Sequence, residues 1–134
     1  MPFCPNAMQE SDEQLREDSM EQSSTLLVLD FSQLRNVTLN DEALMREVVC
    51  ALVSDASHQI KELNLAMERS DASACVRVAH CAQGACGNVG AASLAALFFA
   101  VEQQARAGDL SRCQSSMEYL HIELEKLRSE AFSM

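Results

Sequence analysis

The sequence contains no tryptophan, one tyrosine and only 4% aromatic residues, which excludes a core built around large rings. Apolar residues still make up 48% of the 134, so Leu, Val, Ala, Met and Cys must fill the interior, and that composition suits packed helices. Strand signals are also missing: there is no Asn-Gly or Asp-Gly pair and no long alternating β-branched run. Basic residues are few and scattered, ten Lys and Arg against twenty Asp and Glu, for a formal net charge of −10. The cationic stripe that nucleic-acid binding requires is therefore absent, and neither nucleic acid nor an anionic membrane is expected as a partner. The longest apolar run, Leu94 to Val101, falls well short of the roughly 20 residues that span a bilayer. The start shows no basic segment followed by an apolar one, so a secretory signal is not expected and a cytoplasmic location is. Six cysteines, Cys4, Cys50, Cys75, Cys81, Cys86 and Cys113, form no C-x-x-C pair. In a reducing compartment they read as free thiols, mostly small core residues.

The chain length suits one domain. Residues 1–24 are polar and acidic, with too few apolar groups to offset the entropy of ordering, and read as a tail. Residues 25–134 read as the folded unit. Asp30 is placed to cap a short helix over Phe31 to Arg35, and Asn40 to cap a long one, with Asp41 and Glu42 in its first turn. Met45, Val49, Leu52, Ala56, Ile60 and Leu63 recur at helical spacing to about Met67. Ser70 and Asp71 lead into a helix from about Ala72 to Asn88. After Gly90 follows a stripe of Leu94, Leu97, Phe98, Val101 and Ala105, which Gly108 ends. Asp109 caps a last helix carrying Cys113, Met117, Leu120, Leu124 and Leu127. Four long helices joined by short turns must be antiparallel neighbours. The expected fold is all-α: an antiparallel up-and-down four-helix bundle with a short extra N-terminal helix.

Chemistry concentrates around His80. The chain has four glycines, and Gly84, Gly87 and Gly90 follow this histidine closely although glycine inside a helix costs about 1 kcal/mol relative to alanine. Gly84 at i+4 and Gly87 at i+7 share the imidazole's face and clear it of side chains, so a bulky second surface can approach the ring. Gly90 is explained by the turn. Arg77 at i−3 and Gln83 at i+3 are the polar neighbours, able to donate to phosphoryl oxygens. A neutral imidazole is a nucleophile through its free nitrogen, and phosphoryl transfer needs chiefly positioning and donors.

The string AHCAQGACGNVGAASL resembles the signature of histidine-containing phosphotransfer (HPt) domains, A-H-x-x-K-G-x-x-x-x-x-G-A, and matches at Ala79, His80, Gly84, Gly90 and Ala91. The E-x-x-x-R-A-G-D-L stretch from Glu102 to Leu110 and the long final helix are similar to the family's layout, so the resemblance covers about Leu29 to Phe132. It implies a phosphorelay protein in which His80 accepts a phosphoryl group from a receiver-domain aspartate and passes it to another receiver. With the spacing on this helix, Arg77, Gln83 and Gly84 are the expected support of the phosphoryl site, and Gly84 and Gly87 the expected receiver-docking clearing. The implied partners are response-regulator receiver domains, including those of a hybrid histidine kinase, with the chain itself a monomer. No ATP site, cofactor or metal is implied for it, since Mg²⁺ is held by the receiver. The family's lysine three residues after the histidine is Gln83 here, which removes a positive charge. The alternative is a receiver-binding module that sequesters a response regulator without efficient transfer.

Other readings are weaker. His58 lies off the Leu52, Ala56, Ile60 stripe, and His121 borders the Met117, Leu120, Leu124 stripe; neither has a glycine clearing. Cys75, His80, Cys81 and Cys86 share one helix but point in different directions on its 3.6-residue period, so a tetrahedral zinc site would need ligands from elsewhere.

Overall fold

The computed structural model describes residues 27–134, so the expected tail at 1–24 lies outside the described residues. These fold into five α-helices with no strand among them: α1 Phe31–Thr38, α2 Glu42–Glu68, α3 Ala72–Val89, α4 Ala92–Arg106 and α5 Leu110–Ser133. The expected short helix and four long ones are all present.

Asp30 caps α1, its carboxylate accepting from the backbone of Ser32 and Gln33. This helix continues past Arg35 to Thr38 because Leu34 and Thr38 are both buried, and the Thr38 hydroxyl donates to the Leu34 carbonyl at 2.7 Å. Asn40, expected as the cap of α2, is not the cap. Leu39 and Asn40 both have positive φ, 55° and 64°, and reverse the chain, whereas an N-cap needs extended backbone. Asp41 is the first residue to have it, and its carboxylate accepts from Leu44 N at 3.1 Å. Asp71 and Asp109 cap α3 and α5 in the same way.

The helix α4 starts differently, for Ala91 stands at its cap and offers no side-chain bond. The carbonyl of Leu27 accepts from Ser93 N at 3.0 Å instead, and Asp30 N donates to the Gly90 carbonyl at 2.7 Å. The segment before α1 is thereby held across the α3–α4 turn. Gly90 permits this with φ +101°, and a Cβ there would stand 2.8 Å from the Asp30 carbonyl oxygen. Glycine is required at this position by both conformation and space.

Each of the four long helices packs against its two neighbours in a closed ring, and α1 lies against α2 and α3. One core runs through the ring: Val49, Leu52, Ile60 and Leu63 from α2, Cys75, Ala79, Ala82 and Cys86 from α3, Leu94, Phe98 and Val101 from α4, Cys113, Leu120 and Leu127 from α5. Each fully buried Leu, Ile or Phe stabilises the fold by about 1.5–3 kcal/mol. The core residues of α3 are small, Ala and Cys, so this helix sits close to its neighbours with its opposite face outward. His80 is on that outward face.

Candidate functional site

His80 lies near the middle of α3 with its side chain 67% exposed. Its Nδ1 faces α4, where it stands 3.2 Å from Oε2 of Glu102. Glu102 is buried, its side chain only 5% exposed, at the edge of the Phe98, Val101, Ala105 stripe. The guanidinium of Arg106, one turn further along α4, donates to the same oxygen from Nη2 at 2.8 Å and from Nε at 3.3 Å. The Arg106 guanidinium thereby holds the Glu102 carboxyl below the usual carboxylate range; burial opposes this, and the bond from His80 adds to it. An ionised carboxylate only accepts hydrogen bonds, so Nδ1 of His80 carries a hydrogen, and in the neutral form of the ring the lone pair is then on the outer nitrogen, Nε2. The second oxygen, Oε1, is buried and has no hydrogen-bond partner among the described residues.

Glu102 is not among the site residues expected from the sequence. The signal was available: a carboxylate at position 102 interrupts an otherwise apolar stripe, with Arg106 at i+4 to pair with it.

The glycines flank His80 as their spacing requires. Gly84 is exposed, and a Cβ added at either Gly84 or Gly87 would meet nothing within 4 Å. Gly87 is half-buried, because Gln33 of α1 donates from Nε2 to the Gly87 carbonyl at 2.6 Å and to the Asn88 carbonyl at 3.2 Å. The clearing is therefore open at Gly84 and bordered by α1 at Gly87. Gln83 is half-buried one turn after His80, and since helical side chains lean toward the N-terminus it leans back toward the imidazole.

Arg77, expected beside the phosphoryl site, is turned the other way in this structure. The same lean carries its guanidinium away from His80, toward Ser73, whose hydroxyl oxygen accepts from Nη1 at 3.4 Å. It lines a shallow groove with Ala72, Ser73, Val76, Ala105 and Arg106. The cation tied to the His80 side chain is Arg106, acting through Glu102.

Among the other candidates, His58 is exposed beside Glu62 at 3.6 Å, and His121 is exposed on α5. Cys75, Cys86 and Cys113 are buried free thiols while Cys50 and Cys81 are exposed; Cys4 lies outside the described residues. Burial pushes the Cys86 thiol up to about 12 and Cys113 to about 11, so both stay protonated. Cys75 and Cys86 face the core while His80 and Cys81 face out, and among the described residues no three His, Cys, Asp or Glu side chains form a metal-binding group. No helix among these residues is long and apolar enough to cross a membrane.

The family model for the Hpt domain matches residues 47–130, a range that holds His80, its glycines, Glu102 and Arg106 and leaves out α1. The structure is similar to the crystal structure of histidine-containing phosphotransfer protein B (HptB) from Pseudomonas aeruginosa PAO1, with a TM-score of 0.73 and 26% sequence identity over 79% of this chain and 92% of that one. No curated protein matches the chain.

Proposed function

Because the chain belongs to the Hpt domain family, we propose that it is a phosphorelay carrier in which His80 takes a phosphoryl group from the aspartyl phosphate of one receiver domain and gives it to another. The observation that supports this best is the bond between His80 Nδ1 and Glu102. It fixes the ring's orientation and tautomer and leaves Nε2, on the solvent side, as the nucleophile. The open face at Gly84 gives a receiver room to bring its aspartyl phosphate in line with Nε2. Gln83 is the neutral donor nearest to the phosphoryl oxygens in this reading, and the divalent cation belongs to the receiver's own acidic site.

The step balances without a proton transfer. The Nε2 lone pair forms the N–P bond, the acyl P–O bond of the donor breaks, and its electron pair stays on the receiver's carboxylate. The imidazole keeps its Nδ1 hydrogen and becomes a cation facing Glu102. The return step reverses each movement, and a ring protonated at Nδ1 is a competent leaving group. Nothing in this cycle needs ATP, so the chain acts as a carrier, and we place it as a monomer in the cytoplasm.

The test is to incubate the full chain with each phosphorylated receiver domain of its own genome. A label on the wild-type protein that is acid-labile and absent from His80→Gln supports the carrier. Labelling of His80→Gln, or at His58 or His121, overturns the choice of nucleophile. Tight binding of a receiver with no label on any histidine favours the sequestering module, which the neutral Gln83 would suit.

A further inference from the structure

At the end of the bundle where α1 lies, a groove of about 530 Å³ is bounded by Phe31 and Arg35 of α1, Met45 and Arg46 of α2, and Met134 at the end of α5. Its floor is apolar, since Met45 is buried and Phe31 and Met134 pack against the core. Its rim holds two guanidinium groups against one carboxylate, that of Glu42. Among the described residues neither arginine forms an ion pair; Arg35 is exposed, and Arg46 donates to the Met134 carbonyl. The groove between α2 and α5 differs, because its His58 stands beside Glu62 and its Arg128 on Glu125. Unanswered cations over an apolar floor suit an acidic segment that also carries an apolar side chain. We propose that the occupant is this chain's own stretch Glu17–Glu21, which docks in the groove as an intramolecular latch, with Glu17, Asp18 and Glu21 answering Arg35 and Arg46 and Met20 resting on the floor. The proposal is independent of the carrier reading.

Charge and reach both select this stretch. Residues 1–26 hold Glu10, Asp12, Glu13, Glu17, Asp18 and Glu21 against Arg16 alone. The described chain begins at Leu27, whose carbonyl accepts from Ser93 N, and Phe31 shortly after it already lines the groove. Helix α1 has 8 residues and is about 12 Å long, while extended chain spans roughly 3.3 Å per residue. Glu21 therefore has the length to lie level with Arg35, and Asp18 and Glu17 the length to reach Arg46. The stretch has too few apolar groups to order by itself. Its tether at Leu27 holds it at an effective concentration of about millimolar, so ion pairs that are weak singly can keep it in place. Docked there, it fastens α1, which borders the glycine clearing through Gln33, to α2 and to the end of α5, and withdraws both arginines from other acidic partners.

The experiment follows backbone amide signals of the full chain by NMR, with Phe98 and Leu120 as reporters that each variant is folded. Glu17→Gln, Asp18→Asn and Glu21→Gln combined should move the signals of Ala43 and Arg46, although none of these substitutions is in the groove. Salt at about 0.5 M should move the wild-type signals the same way. A synthetic peptide of residues 12–24 should then bind the neutralised variant roughly two- to fivefold more tightly than the wild type, whose own segment competes for the groove. Arg35→Glu with Arg46→Glu should abolish peptide binding, and the milder pair Arg35→Gln with Arg46→Gln should weaken it. Unmoved groove signals in the neutralised variant, equal peptide affinity for it and the wild type, or undiminished binding by either arginine pair overturns the proposal. Groove signals that move with protein concentration assign the groove to the segment of a second copy and overturn the intramolecular latch. Phosphorylation of His80 is not read in any arm, so failure of the carrier reading leaves this test intact.

Discussion

Gln33 and Gly87, from the first helix and the third, are joined by a 2.6 Å hydrogen bond in which the side-chain amide donates to a carbonyl in the last turn of α3. The last carbonyls of a helix have no intrahelical partner, and a donor from another element satisfies them as a C-terminal cap would. Helix α1 is thus tied to the same stretch of α3 that carries the glycine clearing.

Replacing Gln33 by alanine removes this donor and its second bond to Asn88. Stability should fall by about 1 kcal/mol, measured by urea denaturation, with little change in helicity. If stability is unaffected, α1 is held without this bond, by the burial of Leu34 and Thr38 and by the backbone bonds of the segment before it.

Gly84→Ala separates folding from docking. Nothing within 4 Å would meet the new methyl group, and alanine favours a helix over glycine by roughly 0.5–1 kcal/mol, so the free protein should become more stable. Receiver-dependent phosphorylation of His80 should become slower because the methyl group enters the approach path. An unchanged transfer rate would show that receivers do not use this face.

The replacement of the family's lysine gives a third expectation. Gln83→Lys should speed phosphorylation of His80 by about fivefold, the worth of one charge-assisted bond of ~1 kcal/mol over a neutral one. Arg77 is turned to Ser73, so Arg77→Ala should leave the rate nearly unchanged. Single-turnover rates with one receiver decide both, and a large loss in Arg77→Ala would mean that its guanidinium swings to the phosphoryl group during transfer.

Glu102 makes stability depend on pH. Its carboxyl titrates lower in the folded protein than its ordinary value of 4.5, so the unfolded chain binds the proton first. The stabilisation is fully present above that ordinary value and is lost as pH falls through the lower, folded one. Glu102→Gln should lose this part of the acid dependence, seen as a smaller drop in thermal midpoint on going from pH 5 to about 3. Identical acid profiles for the two proteins would show that His80 and Arg106 do not hold the carboxylate.

The helices and the core were legible because the apolar stripes recur at helical spacing and aspartates stand at the starts of α1, α3 and α5. Asn40 was misread because side-chain chemistry alone does not reveal that Leu39 and Asn40 both take left-handed backbone, which moves the cap to Asp41. At the site, spacing on α3 placed His80, Gly84 and Gly87 on one face, but spacing is blind to lean. It therefore treated i−3 and i+3 as equivalent and paired Arg77 with a ring that its side chain leans away from. Glu102 and Arg106 come from the neighbouring helix, and a contact between two helices is not encoded in the period of either.

The backbone bond from Ser93 to Leu27 has a consequence for how the molecule opens. A helix start is normally closed by its own cap residue, so its first amides exchange with solvent when that turn frays. In α4 the acceptor for Ser93 N–H belongs to a strap from the other end of the described chain. Lifting the strap exposes this amide while the rest of α4, held by Leu94 and Phe98 in the core, stays closed. Hydrogen exchange at Ser93 is thus a local clock for undocking of the N-terminal strap, distinct from the global unfolding that the core amides report.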